Sequence, residues 1–202
     1  MSCEHPVVLI IDDDWRVREA LAELLSTFDF ETVTFGSIAE YVAHPRADVP
    51  SCLILDVKLP DISGLDFQAE QPVDQHPPIV FITGHGDIPS SVRAIKRGAV
   101  DFLTKPLIER DLVKAIRTGV ERDRAERRAR AELAELQGRL NRLTPRERQV
   151  LALVVSGLLN KQAAAKLGIT ESTVQIHRRR IMEKMKATSL ADLVRIAVTL
   201  GA

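Results

Sequence analysis

Five short apolar runs, with helically patterned stretches between them, constrain this 202-residue chain more than any other feature. The first, VVLII at Val7–Ile11, leads into three consecutive carboxylates, Asp12, Asp13 and Asp14, and then into apolar residues at Val17, Leu21, Leu24 and Leu25 that share one helix face. Glu31–Phe35, Ser51–Asp56, Ile79–Thr83 and Asp101–Thr104 read as four further strands, with helical stretches near 37–43, 63–70 and 88–97. Short strands alternating with helices predict a doubly wound parallel α/β sheet, buried on both faces. Ligands of such sheets bind beyond the carboxyl ends of the strands, where the crossover loops open a crevice.

Those ends carry Asp12–Asp14, Asp56, Thr83, and Lys105 followed by Pro106. Adjacent carboxylates repel, so either protons or a cation must share the site, or Asp13 or Asp14 serves instead as the cap of the next helix. An acidic cluster with one hydroxyl and one ammonium suits a hard divalent ion, Mg²⁺, which needs few protein oxygens. A carboxylate beside Mg²⁺ can accept a phosphoryl group, because the metal offsets the incoming charge. Asp56 is the best nucleophile candidate, Lys105 would hold one phosphoryl oxygen and the Thr83 hydroxyl another. Singly, Lys105 also reads as a surface lysine before a turn and Thr83 as a strand former; their joint position at strand ends favours the site.

From about Val7 to Val120 the sequence resembles the receiver domain of bacterial two-component response regulators, through IDDD, LILDVKLPDISGLD and ITGHGDIPSSVRAIKRGAVDFLTKP at matching spacing. The resemblance implies a flavodoxin- or CheY-like fold in which Asp12, Asp13, Asp56 and the backbone carbonyl of Lys58 hold Mg²⁺. It implies that Asp56 accepts phosphate from a cognate sensor histidine kinase, that Thr83 and Phe102 form a switch pair, and that Lys105–Pro106 is a cis peptide. Asp14 is then left to cap the first helix. Lys58 and His85 stand two residues after Asp56 and Thr83, where the family varies and tunes phosphate lifetime.

The formal net charge is zero, but its distribution is uneven. Residues 1–109 hold 8 basic and 18 acidic side chains, residues 110–142 hold 10 and 6, and residues 143–202 hold 10 and 4. An acidic front and a basic back imply two tasks, the second on nucleic acid. Cys3 and Cys52 make no disulfide framework, and His5, His44, His76, His85 and His177 show no zinc-ligand spacing. With no membrane-length apolar run and no leader pattern at the N-terminus, a cytoplasmic protein without membrane association is expected.

Residues 107–143 read as one long helix, interrupted in composition only by Gly119 and Gly138. Ile108, Leu112, Ile116 and Val120 would pack on the sheet, and the arginine- and glutamate-rich segment after them would be solvated. Leu133, Leu136, Leu140 and Leu143 then fall at coiled-coil spacing, either as a short dimer seam on a continuous signalling helix or as part of a plain linker.

TPRERQVL opens the last segment with Thr144 as N-cap, Pro145 in the first turn and Glu147 placed for a capping box. NKQAAAKLGITESTVQIHRRRIMEKM follows as helix, turn at Gly168, and second helix capped by Thr170, the helix-turn-helix plan. Val174, Ile181 and Met185 share a core face, opposite Ser172, Gln175, Ile176, Arg179, Arg180 and Glu183. With the KMKATSLADLVRIA tail this segment resembles the LuxR-type DNA-binding domain, a four-helix unit, which places the whole chain near FixJ/NarL-type response regulators. The resemblance implies that Gln175, Ile176 and Arg179 approach base edges. Lys161, Thr170, Ser172, Thr173 and Arg178 would contact phosphates. Gln175 replaces a frequent basic residue, which bears on sequence preference. The last helix, about 190–200, would pair two such domains through Leu190, Leu193, Val194 and Val198 or bury them in its own core.

The reading is a receiver at 1–120, a helical linker at 121–142 and a DNA-binding domain at 143–202. Phosphorylation of Asp56 would drive homodimerisation and control binding to promoter DNA, with RNA polymerase as a further contact. A non-enzymatic regulator is therefore expected; a phosphate-independent DNA-binding regulator and an Mg²⁺-dependent phosphotransferase are the alternatives.

Overall fold

A computed structural model describes residues 5–45, 47–72, 75–84 and 88–201; Cys3, His85 and Gly86 lie outside the described residues. The chain divides into two compact units, Met1–Arg127 and Arg128–Ala202.

In the first unit β1 (Val7–Ile11), β2 (Glu31–Phe35), β3 (Ser51–Asp56), β4 (Ile79–Thr83) and β5 (Asp101–Thr104) form one parallel sheet in the order β2-β1-β3-β4-β5. Helices α1 (Trp15–Ser26), α2 (Ile38–Ala43), α3 (Gly64–Glu70), α4 (Ile88–Lys96) and α5 (Glu109–Asn141) alternate with the strands. Side chains alternate across the pleat, so the central strands feed two cores. Val8, Ile10, Cys52, Ile54, Val80 and Ile82 pack with Leu21 and Leu25 of α1 and Leu112 and Ile116 of α5. Leu9, Ile11, Leu53, Leu55, Ile79 and Phe81 pack on the other face with Ile38, Tyr41, Phe67 and Ala94. The strand order reverses between β1 and β3, which puts the ends of these two strands at the topological switch point.

Beyond Val120, α5 departs from the expected solvated segment. Asp123 is buried; its carboxylate accepts the Ser51 N–H at 2.8 Å and the Arg127 Nε–H at 2.7 Å, while Arg122 donates to the Gly98 carbonyl at 2.8 Å. The start of β3 needs an acceptor for its first N–H, and the helix supplies it. Ile108 precedes the helix and is exposed, whereas Leu112, Ile116 and Val120 are buried as expected.

The second unit contains α6 (Pro145–Val155), α7 (Asn160–Leu167), α8 (Glu171–Met185) and α9 (Leu190–Leu200). Thr144 and Glu147 form the capping box. Gly168 ends α7 in the left-handed region at φ 65°, and Thr170 caps α8 by accepting the Thr173 N–H at 3.2 Å. Three of the four leucines read as a dimer seam or plain linker instead enter the core of this unit. Leu136 and Leu143 are buried and Leu140 is partly buried in the core of this unit, with Val150, Val174, Ile181 and Leu193, while Leu133 is 47% exposed. Small helices cannot close a core alone, and the end of α5 fills it. In α9 Leu193 is core, but Leu190 is exposed and Val198 is 74% exposed.

Candidate phosphoacceptor pocket and nucleic-acid interface

Parallel pairing brings Asp12, Asp56, Thr83 and Lys105 to one edge of the sheet, although they lie far apart in the chain. Lys105 Nζ donates to Asp12 Oδ2 at 2.7 Å and to Asp56 Oδ2 at 2.6 Å. The other carboxylate oxygens are also engaged: Asp12 Oδ1 accepts the Asp14 N–H at 2.9 Å, and Asp56 Oδ1 accepts the Lys58 N–H at 3.0 Å. Asp14 points away from the cluster, its Oδ1 accepting the Arg16 N–H at 2.9 Å as the N-cap of α1. Asp13 is exposed, and one oxygen each from Asp12, Asp13 and Asp56 lies within 4.8 Å of the others.

Asp12 is 0% exposed, and burial raises its pKa despite the opposing hydrogen bond from Lys105. Burial pulls the Lys105 ammonium down, but its bonds to Asp12 and Asp56 outweigh that and hold it above its ordinary value. One ammonium faces three carboxylates, so the cluster has negative charge to spare. Hard oxygen donors in a pocket short of positive charge fit a divalent cation such as Mg²⁺. Thr83 is buried at the end of β4, in register with Thr104. Phe102 is half-buried on β5, its ring centroid 6.0 Å from that of Phe81. Lys105–Pro106 is cis.

Sequence reasoning passed over Gly64. A Cβ there would stand 2.4 Å from the Asp56 carbonyl oxygen, while the Gly64 N–H donates to the Val57 carbonyl at 3.1 Å. The glycine lets the loop after β3 close against the backbone of Asp56. The available signal was a glycine beginning a helix directly after the cap residue Ser63.

In the second unit α8 exposes Gln175, Arg179 and Ile176, the last at 53%. Arg179 Nε donates to Glu183 at 2.9 Å on the following turn. Arg178 is half-buried and donates to Asn160 Oδ1 at 2.6 Å, tying α8 to the start of α7; Asn160 was not foreseen. Lys161 is exposed at the start of α7; Thr170 and Ser172 are exposed and Thr173 half-buried at the start of α8, with Thr170 Oγ1 2.8 Å from Ser172 Oγ and 2.9 Å from Thr173 Oγ1. His177 is half-buried. A helix carrying amide and guanidinium groups on its open face, preceded by hydroxyls and a lysine, has the donors that major-groove edges and phosphates accept.

A doubly wound sheet with an acidic pocket at its switch point, followed by a helix-turn-helix unit, defines a receiver joined to a DNA-binding domain. Residues 8–117 match the response regulator receiver domain family, and residues 141–197 match the family of bacterial regulatory proteins, luxR family. Nodulation protein W of Bradyrhizobium diazoefficiens is 49% identical over 196 residues, covering 96% of this chain and 86% of the relative. The transcriptional regulatory protein FixJ of Azorhizobium caulinodans is 40% identical over 198 residues, covering 96% and 92%. The solved structure of the response regulator StyR matches with a TM-score of 0.86 at 44% identity, covering 96% of this chain and 98% of that one. The chain belongs to the FixJ/NarL-type response regulators, a family of transcriptional regulators. No helix among the described residues is long and apolar enough to cross a membrane.

Proposed function

We propose that a sensor histidine kinase phosphorylates this response regulator on Asp56 and that phosphorylation controls homodimerisation and sequence-specific promoter binding. The observation that carries the reading is the Lys105 ammonium, bonded to Asp12 and Asp56 together at the switch point of the sheet. In this reading Asp12, Asp13, Asp56 and the Lys58 carbonyl hold Mg²⁺, which supplies positive charge for the oxygens of an arriving phosphoryl group. Asp56 attacks phosphorus as the bond to the donor histidine breaks. Lys105 exchanges a carboxylate oxygen for a phosphoryl oxygen, and the Thr83 hydroxyl turns to another, freeing space for Phe102. The acceptor function belongs to residues 1–120, the helical linker to 121–142 and DNA binding to 143–202.

On DNA, Gln175, Ile176 and Arg179 meet base edges, while Lys161, Thr170, Ser172, Thr173 and Arg178 hold phosphates. Two recognition helices then occupy half-sites about one helical turn apart. The protein works in the cytoplasm, where kinase, promoter and RNA polymerase are all within reach.

Incubation with Mg²⁺ and acetyl phosphate, followed by intact-mass measurement, tests the acceptor. One phosphoryl adduct on the wild type and none on Asp56→Asn supports the proposal, and a larger hydrodynamic size of the adduct supports dimerisation. An adduct retained in Asp56→Asn would overturn the assignment of the acceptor.

A further inference from the structure

The geometry points to Arg18 as the positioning residue of the acidic pocket: we infer that its guanidinium clamps the loop on which both Asp12 and Asp13 ride. Arg18 sits on the first turn of α1, half-buried. Its Nη1 carries two hydrogens and donates one to the Asp12 carbonyl at 2.6 Å and the other to the Asp13 carbonyl at 3.1 Å. These carbonyls belong to the two residues that contribute the β1–α1 carboxylates of the cluster.

The rest of the loop is secured on either side of this clamp. The Asp12 N–H donates to the Phe35 carbonyl at 3.3 Å, and the Asp14 carbonyl accepts N–H groups from the first turn of the helix, Val17 at 3.1 Å and Arg18 at 3.2 Å. Arg18 completes the set by holding the two peptide carbonyls between strand and helix. The Asp13 side chain is exposed, so its direction depends on the backbone that carries it. Fixing that backbone before a cation arrives lowers the ordering cost of binding, as outer-shell hydrogen bonds do for metal ligands generally.

Charge and positioning make opposite predictions for this residue. A guanidinium beside a cation site repels the cation, so an arginine acting through charge alone would weaken Mg²⁺ binding, and its loss would strengthen it. A clamp does the reverse. The inference rests on the Mg²⁺ pocket proposed above, and titration of Mg²⁺ into the full chain, followed by Trp15 fluorescence, separates the two. Trp15 adjoins the cap residue Asp14 and is 58% exposed. Arg18→Met keeps the apolar stem and removes the donors; Arg18→Lys keeps a charge and donors.

The expected result is about 10-fold weaker Mg²⁺ binding in Arg18→Met, with most of the affinity recovered in Arg18→Lys and similar thermal midpoints for both metal-free variants. Equal or tighter binding by Arg18→Met overturns the inference, as does an Arg18→Lys variant as weak as Arg18→Met. A wild-type chain that takes up no Mg²⁺ overturns the pocket reading itself, and the clamp with it.

Discussion

Gly119 of α5 and Cys52 of β3 lie so close that a Cβ on the glycine would stand 2.6 Å from the Cys52 sulfur and 3.3 Å from its Cβ. The sulfur is itself 3.3 Å from the Pro78 carbonyl oxygen, in a fully buried site. Burial pushes the Cys52 thiol up to about 12, so at neutral pH it remains a small protonated apolar group. An isolated helix would gain about 1 kcal/mol from Gly119→Ala, but overpacking at this contact should outweigh that gain and leave a net loss of about 1–2 kcal/mol. Denaturant midpoints check the sign. Adding Cys52→Ala should cost less in the Gly119→Ala background than in the wild type, because the two substitutions share one space.

Glu147 gives the second unit a pH dependence. Burial pushes its carboxyl up, but the Lys184 ammonium at 2.6 Å and the Thr144 N–H at 2.8 Å prevail and hold it below the ordinary glutamate value. A depressed folded pKa stabilises the fold fully above the unfolded value, and that stabilisation is lost as pH falls through the folded one. The wild type should therefore lose stability on acidification below about pH 4.3, the unfolded glutamate value. Glu147→Gln should be about 1–2 kcal/mol less stable at pH 7 and show a shallower acid dependence, measured as thermal midpoints across pH.

Arg178 and Arg179 are neighbours with different expected roles on DNA. Arg178→Ala should weaken binding to all sequences alike and lower the salt slope by about 1, the signature of one lost phosphate contact. Its tether predicts that Asn160→Ala reproduces part of the loss. Arg179→Ala should flatten base preference at one position by about 1–3 kcal/mol. Selection from a random duplex library, followed by salt titration of the enriched site, distinguishes the two patterns.

Leu136→Ala should destabilise the second unit by about 2–4 kcal/mol in a monomer, because Leu136 is buried within that unit's own core. A dimer seam would instead give a loss that depends on protein concentration. Thermal unfolding at two widely separated concentrations decides the point.

Much of this architecture was legible without coordinates because its signals are local. Apolar runs and the helical patterns between them place all five strands, and Thr144, Glu147, Gly168 and Thr170 mark helix ends through hydrogen bonds spanning only a few residues. The strand-end rule gathers Asp12, Asp56, Thr83 and Lys105 at one edge, since parallel pairing aligns the carboxyl ends of every strand. Periodicity identifies an apolar face but not what covers it, so the leucines between 133 and 143 read as a seam or a linker, whereas three of them fill the core of the second unit. Composition marks Gly119 as a weak helix former; only the approach of β3 makes a larger residue there the greater cost. Asp123 lies in a segment that reads as solvated and Arg18 carries no local signal, yet one accepts the first N–H of β3 and the other holds two loop carbonyls. Local physics is written in neighbouring residues, whereas a buried carboxylate or a backbone clamp is defined by a partner that only the folded chain brings near.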